Sequence, residues 1–424
     1  MKNKNFDYRF LILLLNMLVL SGSVILNKYI IALIGIIVWI LFYTTNKSMR
    51  DIIIARMLIL SIPLSFTNIF GGPYGESTIS WYNIFLLLLI ISVFLKGKLY
   101  FNLISLLSIF IIIISLIPML IPIDVFDSFK QYANFLSNFI LIIIGNNLLS
   151  DSEQNYKRKL LISDYIYTTK IAALGVIIQI FFINVLNINI GNYKFLGGYR
   201  HSYGFLFSDF SFLSLYIVSG AILIWLKTDK QNFNFKDFAE ILLLLLSSIM
   251  TSARTGIFSF LFVLVLFSMK KSLVYANRGS IRSIVLVLAN LLIVLVSYFL
   301  LDKVRGQFKF SDSGRMELNK LALHIFLENP LFGVGLGGSN YTGMLPHNIL
   351  FQYLVQGGLI LTIPLFLFFL LVIYITFKKD KIIFAGILCI LIGSFFVPNI
   401  FDSRFLGAIL MVMNTRSRSV NAKY

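Results

Sequence analysis

The chain has 424 residues, of which 58% are hydrophobic and 13% are charged, and its formal net charge is +18. A soluble globular chain is about half apolar and about a quarter charged, so this composition excludes that class and indicates a polytopic membrane protein. The positive charge then reflects membrane topology and gives no reason to expect a nucleic-acid partner. The single cysteine, Cys389, excludes an intrachain disulfide and a cysteine-based metal site.

Apolar runs long enough to cross a bilayer recur along the whole chain. Backbone groups in such runs must be satisfied internally, so we predict helices and a single all-α membrane domain over residues 1–424. The expected crossings number about 12–14, because the two shortest runs, 238–250 and 403–414, are the weakest. The predicted spans are residues 9–26, 29–44, 51–69, 79–95, 99–117, 131–149, 163–183, 208–226, 238–250, 254–269, 283–301, 347–377, 382–398 and 403–414.

Lys and Arg concentrate in alternate connections between these spans, for example at 157–159, 270–282 and 378–381. Because cytoplasmic loops carry the excess of basic residues, this pattern predicts that both termini are cytoplasmic. The first apolar run has no small-residue cleavage site, so we interpret it as a retained helix.

Two segments predicted to lie outside are long. Residues 184–207 form a loop, and residues 302–346 form the longest loop of the chain, which is too long for a simple connection. Within it, residues 315–328 are roughly amphipathic and predict a short helix at the outer membrane surface. Asn329-Pro330 ends that helix, and a Gly-rich turn at 333–343 precedes the next span.

His347 follows Pro346 at the first turn of a predicted span. A neutral imidazole at that position can take a proton from a hydroxyl group. The alternative is a polar helix-start residue that faces lipid headgroups, with Asn348 as the helix cap.

Arg254 lies in a short polar break, Ser252 to Gly256, between two apolar runs. Its planar guanidinium suits a phosphate, and the following helix start is itself an anion site. The alternative is an arginine that extends to the membrane surface without a functional role.

Three further residues, Arg200, His201 and Arg315, could bind a phosphate or a sugar. Arg200 and His201, among Gly and Tyr residues, suit a phosphate or a sugar, although an ordinary exposed loop also explains them. Arg315 opens the predicted surface helix and is a better candidate than Arg305, whereas His324 is better explained by packing. A Gly-Lys-Ser/Thr phosphate loop and a His-Glu-x-x-His pair are both absent, so we expect no ATP hydrolysis, no metal and no cofactor.

Several of these elements, in this order, resemble the bacterial O-antigen ligase/O-antigen polymerase superfamily, over about residues 197–360. Asp209 departs from the family's pattern. The resemblance is carried by Arg200 with Gly204, by Ser252-Ala253-Arg254-Thr255-Gly256, by Gly314-Arg315, by Glu328-Asn329-Pro330-Leu331-Phe332-Gly333-Val334-Gly335, and by Pro346-His347-Asn348 with Gln352-Tyr353 and Gly357-Gly358.

The resemblance implies a metal-independent glycosyltransferase in the bacterial cytoplasmic (inner) membrane. Its substrates would be sugar chains carried on undecaprenyl diphosphate at the outer face. By motif, Arg254, Arg200 and Arg315 would bind the diphosphate and His347 would be catalytic. Asn348 and His201 would support them.

We therefore expect a polymerase of O-antigen, capsule or exopolysaccharide repeat units, with lipid-linked oligosaccharides as donor and acceptor. Flippase and chain-length regulator proteins are possible partners, besides membrane lipids. A ligase that moves the finished chain to lipid A core or another acceptor is the alternative within the family. A transporter or flippase for lipid-linked sugars is the alternative from another class.

Overall fold

The computed structural model describes most of the chain. Arg305, most of the predicted span 283–301 and parts of the predicted loop 302–346 lie outside the described residues. The described residues are 8–46, 49–69, 79–97, 99–121, 124–150, 153–196, 200–228, 234–276, 315–337, 346–397 and 399–413, with single positions between 288 and 299.

Helices account for most of the described residues, which confirms the all-α membrane class. The helices are α1 Tyr8–Leu26, α2 Tyr29–Thr45, α3 Arg50–Leu60, α4 Trp81–Phe94, α5 Leu103–Ile114, α6 Leu116–Met119, α7 Val125–Leu148, α8 Gln154–Asn184, α9 Phe210–Thr228, α10 Phe235–Met250, α11 Arg254–Ala276, α12 Arg315–Glu328, α13 Ile349–Lys379, α14 Lys381–Ser394 and α15 Phe405–Met411.

Among the described residues, four helices are both long and apolar enough to cross a membrane: Tyr8–Leu26, Gln154–Asn184, Phe210–Lys227 and Ile349–Lys379. Other apolar helices are shorter. The predicted span 51–69 is helical only to Leu60 and continues as a 3₁₀ turn that contains Pro63, because proline cannot donate the next helical hydrogen bond. The predicted span 403–414 contains only the seven-residue α15.

The predicted loop 184–207 contains an antiparallel hairpin of β1 (Asn192–Leu196) and β2 (Arg200–Phe205). Gln179 on α8 anchors it: the amide nitrogen donates to the carbonyls of Ile190 and Asn192, and the amide oxygen accepts from the Phe205 N–H. The hairpin is therefore fastened to the helices by side-chain hydrogen bonds, which the sequence pattern does not reveal.

Arg56 and Lys170, two basic residues inside the predicted spans, both have acidic partners. Arg56 on α3 donates from Nε to Asp164 Oδ2 on α8 at 2.7 Å and from a second nitrogen to Oδ1 at 3.2 Å, and both side chains are at most 4% exposed. Lys170 lies 3.1 Å from Glu240 and is less buried. Two-point bonding of a guanidinium to a carboxylate satisfies both groups in an apolar interior. These two cations therefore have structural partners within the helix bundle.

Replacing Asp164 with Asn should destabilise the protein strongly, because it leaves the buried Arg56 charge uncompensated, at a cost of about 3–5 kcal/mol. The thermal unfolding midpoint in detergent measures this. Glu240→Gln, on the more exposed pair with Lys170, is the matched control and should shift the midpoint much less. A small shift for Asp164→Asn, no larger than that for Glu240→Gln, would show that Arg56 does not depend on Asp164.

Candidate functional site

The Gly-rich turn after α12 is bonded to a kink in α13. At Gly358 the backbone leaves helical geometry, with φ at 57°. The carbonyls of Val355 and Gln356 accept instead from the turn's Val334 and Gly335 N–H groups, at 2.8 and 3.1 Å. The helical N–H groups released by the kink are also satisfied by the turn: Leu359 donates to the Pro330 carbonyl and Ile360 donates to the Leu331 carbonyl. The turn therefore replaces the helical hydrogen bonds that the kink breaks.

On its other side the same turn contacts the chain before and within α7. The Leu336 N–H donates to the Pro118 carbonyl at 2.9 Å, and the Ser128 hydroxyl donates to the Leu336 carbonyl. Gly335 has φ at 97°, and a Cβ there would lie 1.8 Å from the Ile121 carbonyl oxygen, so glycine is required. The turn is thus held between α13 and the start of α7.

Helix α12 has the predicted bounds, which confirms the helix over 315–328. Ala322 and Ile325 are buried and pack against Val334 and Val355. Met316 and Leu327 are 60% and 66% exposed. An apolar side that is left uncovered is compatible with the expected surface position, which stays a prediction.

His347 lies just before α13 and is half-buried. Asn348 caps the helix: its side-chain oxygen accepts from the Leu350 N–H at 2.9 Å. This cap is the role that the structure gives Asn348. Asn348 has the extended backbone geometry of a helix cap, with φ at −157°, so α13 starts at Ile349 and His347 is the residue just before the cap.

Burial lowers the pKa of His347 below its ordinary value, and the nearby Arg315 charge lowers it further. Asp209 and the backbone carbonyl of Phe396 act in the opposite direction. The Nδ1 atom is buried and has no hydrogen-bond partner among the described residues. A histidine in this environment is neutral at pH 7 and can accept a proton.

If His347 acts as the base, two substitutions should move the low-pH limb of the rate profile in opposite directions. Arg315→Gln removes a cation that lowers the pKa, so activity should fall at a higher pH than in the wild type. Asp209→Asn removes an anion that raises the pKa, so the limb should move to lower pH. Profiles of kcat/KM from about pH 5 to pH 8 test this.

Asp209 caps α9, with Oδ1 accepting from the N–H groups of Ser211 and Phe212, and an asparagine can still serve as that cap. The Asp209→Asn variant should therefore fold normally. Shifts of the low-pH limb in the same direction in the two variants would mean that another group controls it.

Arg200 and Arg254 meet at one turn. Arg200 on β2 donates from Nε to the Ser252 hydroxyl at 2.8 Å, and that hydroxyl also contacts the Ser202 hydroxyl. Ser252 has φ at 58°, so it forms a tight turn just before α11, whose first residue is Arg254. Arg200 is therefore hydrogen-bonded to Ser252, and Arg254 follows Ser252 by two positions in the chain.

His201 has a different location. Side chains alternate along a strand, so Arg200 and Ser202 face the Ser252 turn while His201 lies on the opposite face. There its Nδ1 is 2.6 Å from the Tyr193 hydroxyl, and its ring packs against Phe195. The structure does not bring His201 to the residues around His347.

The candidate residues gather at one end of the helix bundle, which we call the site end, where α7, α9, α11 and α13 begin. Helices α9, α10 and α11 pack together and alternate in direction, so α9 and α11 start at the same end. Phe258, one turn into α11, meets Phe396 edge to face, with 5.2 Å between the ring centroids. Phe396 thus connects the start of α11 with His347.

Sequence reasoning missed the contribution of two residues at this end. By sequence, Asp209 is only a departure from the motif, yet in the structure its charge raises the pKa of His347. Phe396 was included in the predicted span 382–398, whereas α14 ends at Ser394 and Phe396 lies in the connection that follows. The nearby Pro398 was the available signal that the helix ends early.

A comparison with known protein families matches a segment that contains several of the candidate residues. Residues 239–366 match the family model described as O-antigen ligase, and this segment contains Arg254, Arg315 and His347, whereas Arg200 precedes it. Comparisons with curated proteins and with solved structures found no match. Members of the matched family are glycosyltransferase-like membrane enzymes of polysaccharide biosynthesis. This match over residues 239–366 supports the resemblance of the chain to the O-antigen ligase/O-antigen polymerase superfamily.

Proposed function

We propose that this protein is a polymerase that joins polysaccharide repeat units carried on undecaprenyl diphosphate, at the outer face of the bacterial cytoplasmic membrane. The observation that carries the proposal is His347, a half-buried imidazole whose pKa is lowered by burial and by Arg315, and whose Nδ1 has no hydrogen-bond partner in the part of the chain that the structure describes. It lies at the start of a long apolar helix, where a lipid-linked sugar would present its headgroup.

The chemistry is a single displacement. The acceptor hydroxyl oxygen attacks the anomeric carbon of the donor, and the bond from that carbon to the diphosphate oxygen breaks. The electron pair leaves with the diphosphate, while the hydroxyl proton passes to His347. One displacement inverts the anomeric centre and needs no covalent intermediate.

The leaving diphosphate gains negative charge as its bond breaks, and fixed guanidinium groups stabilise that charge best where water is excluded. Arg254 and Arg200 at the Ser252 turn, and Arg315 near His347, are the groups we assign to this role. No metal is required in this scheme, so we expect activity to be unchanged when EDTA is added to the assay.

A ligase is the second candidate, favoured by the description of the matched family model. It would handle the donor in the same way and differ in the acceptor. A transporter is less well supported, because the buried Arg56 and the partly buried Lys170 both have acidic partners, and neither lines the cavity between α1, α2 and α4 or the cavity between α4 and α7.

The deciding experiment incubates the purified protein with undecaprenyl diphosphate-linked repeat units alone and separates the products on a gel. A ladder of longer lipid-linked chains would support the polymerase. Product that forms only after lipid A core or another acceptor is added would identify a ligase. Absence of product in both cases, together with movement of the lipid-linked sugar across vesicles, would favour the transporter.

A further inference from the structure

We infer that a second lipid-binding site, distinct from the residues around His347, takes the diphosphate headgroup and first isoprene units of the second lipid-linked substrate. The site is a cavity of about 420 Å³ between α4, α7 and Arg404. The inference rests on the proposed function, because a polymerase needs two lipid diphosphates at once whereas a ligase needs only one.

The cavity changes from polar to apolar along α4. Asn83, in the first turn of α4, lines it together with Lys130 on α7. Leu87 and Ile90, one and two turns further along α4, line its apolar part. Leu87 is 58% exposed, so this part opens sideways towards lipid. A phosphate headgroup above a hydrocarbon chain fits this division.

The cavity is lined by two positively charged side chains, Lys130 and Arg404, and the carboxylate of Asp402 is nearby. Lys130 is exposed, and Arg404 lines the cavity. The carboxylate of Asp402 accepts a hydrogen bond from Asn134 at 2.7 Å, and Arg404 donates to the Asp402 backbone carbonyl at 3.2 Å. The net charge of these three side chains is positive, as an anionic headgroup requires.

Arg404 is also held in an unfavourable backbone conformation. Its φ is 61°, in the left-handed region that non-glycine residues rarely adopt, and Asn399, at the start of the same short 3₁₀ segment, has φ at 36°. Such strain persists only where the surroundings impose it, and it is concentrated at ligand sites. The Tyr82 hydroxyl donates to the Arg404 carbonyl and helps to hold this geometry.

The cavity is at the site end, because α7 begins there, next to the Gly-rich turn. Phe396 and the residues from Asn399 to Arg404 lie between the two places. Phe396 is beside His347, and the Asn399 N–H donates to Gln352 Oε1 on α13 at 2.6 Å. One short segment thus borders both sites, so a lipid in the cavity would present its sugar on the side of His347.

Another large cavity among the described residues, of about 550 Å³ between α1, α2 and α4, is lined by apolar and aromatic side chains such as Leu33, Trp39 and Phe85. No charged side chain lines it, so nothing in it would recognise a headgroup. The smaller cavity is therefore the better match to a lipid diphosphate.

Native mass spectrometry of the full-length protein with undecaprenyl diphosphate tests the inference by stoichiometry. The wild type should bind two equivalents. Lys130→Glu should bind the first equivalent as the wild type does, and the dissociation constant of the second equivalent should rise at least about 10-fold, so that one equivalent is observed. Arg254→Ala should also bind one, and the double variant none. Lys194→Glu, at a lysine on β1 that is also exposed, is the control and should bind two.

Two results would overturn the inference: two equivalents bound to Lys130→Glu with unchanged affinity, or displacement of the second equivalent by an equal concentration of phosphatidylglycerol, which would make the cavity an ordinary phospholipid site. Arg404→Gln provides a second variant on the opposite wall. Failure of the proposed function would give a different result. Arg254→Ala would then still bind two equivalents, while Lys130→Glu would bind one.

Discussion

Replacing His347 with alanine is expected to lower the rate of chain growth by about 10²–10⁴-fold, the usual contribution of a general base. The physical reason is that the acceptor hydroxyl would have no group nearby to take its proton as it attacks the donor. The measurement is the rate of ladder formation from lipid-linked repeat units by purified protein, at a fixed amount of membrane-inserted enzyme.

The His347→Ala variant should still bind undecaprenyl diphosphate, because the diphosphate contacts are assigned to arginines. His324→Ala is the matched control: His324 is on α12, exposed, and 3.3 Å from Glu328. It should retain full activity. Loss of activity in His347→Ala that merely follows loss of folded protein would contradict a chemical role.

Much of the fold follows from local sequence. Most helix boundaries agree with the apolar runs within a few residues, because the bilayer requires each run to satisfy its own backbone. Helix α12 was predicted with its observed bounds, since Asn329-Pro330 ends it clearly. What depends on local hydrogen bonding and hydrophobicity could therefore be predicted.

The pairings between distant segments could not. Arg56 and Asp164 are separated by 108 positions, and nothing near either residue identifies its partner. The kink at Gly358 depends on a turn some twenty residues earlier in the chain. Similarly, motif and side-chain chemistry selected Arg254, Arg315 and His347 as candidates, but the influence of Asp209 on His347 emerges only when α9 and α13 are packed together.

Replacing Arg254 with alanine is expected to lower the rate of chain growth by about 10²–10³-fold, the cost of removing one fixed group that stabilises charge developing in a transition state. Arg254 begins α11, where helix N–H groups and the guanidinium can face the same anion. The reduction should appear mainly in kcat, because the charge on the leaving diphosphate grows as the bond breaks.

Arg254→Lys separates two roles of this side chain. A lysine keeps the positive charge but cannot bond a phosphate at two points, so the activity should fall between those of the alanine variant and the wild type. Full activity of the lysine variant would mean that Arg254 contributes only charge.

The neighbouring Ser252→Ala variant tests the turn itself. It removes the hydroxyl that accepts from Arg200, so it should misplace Arg200 while leaving the Arg254 side chain present. A Ser252→Ala rate as low as that of Arg254→Ala would mean that a correctly placed Arg200 matters as much as Arg254, whereas a rate near that of the wild type would assign the larger share to Arg254.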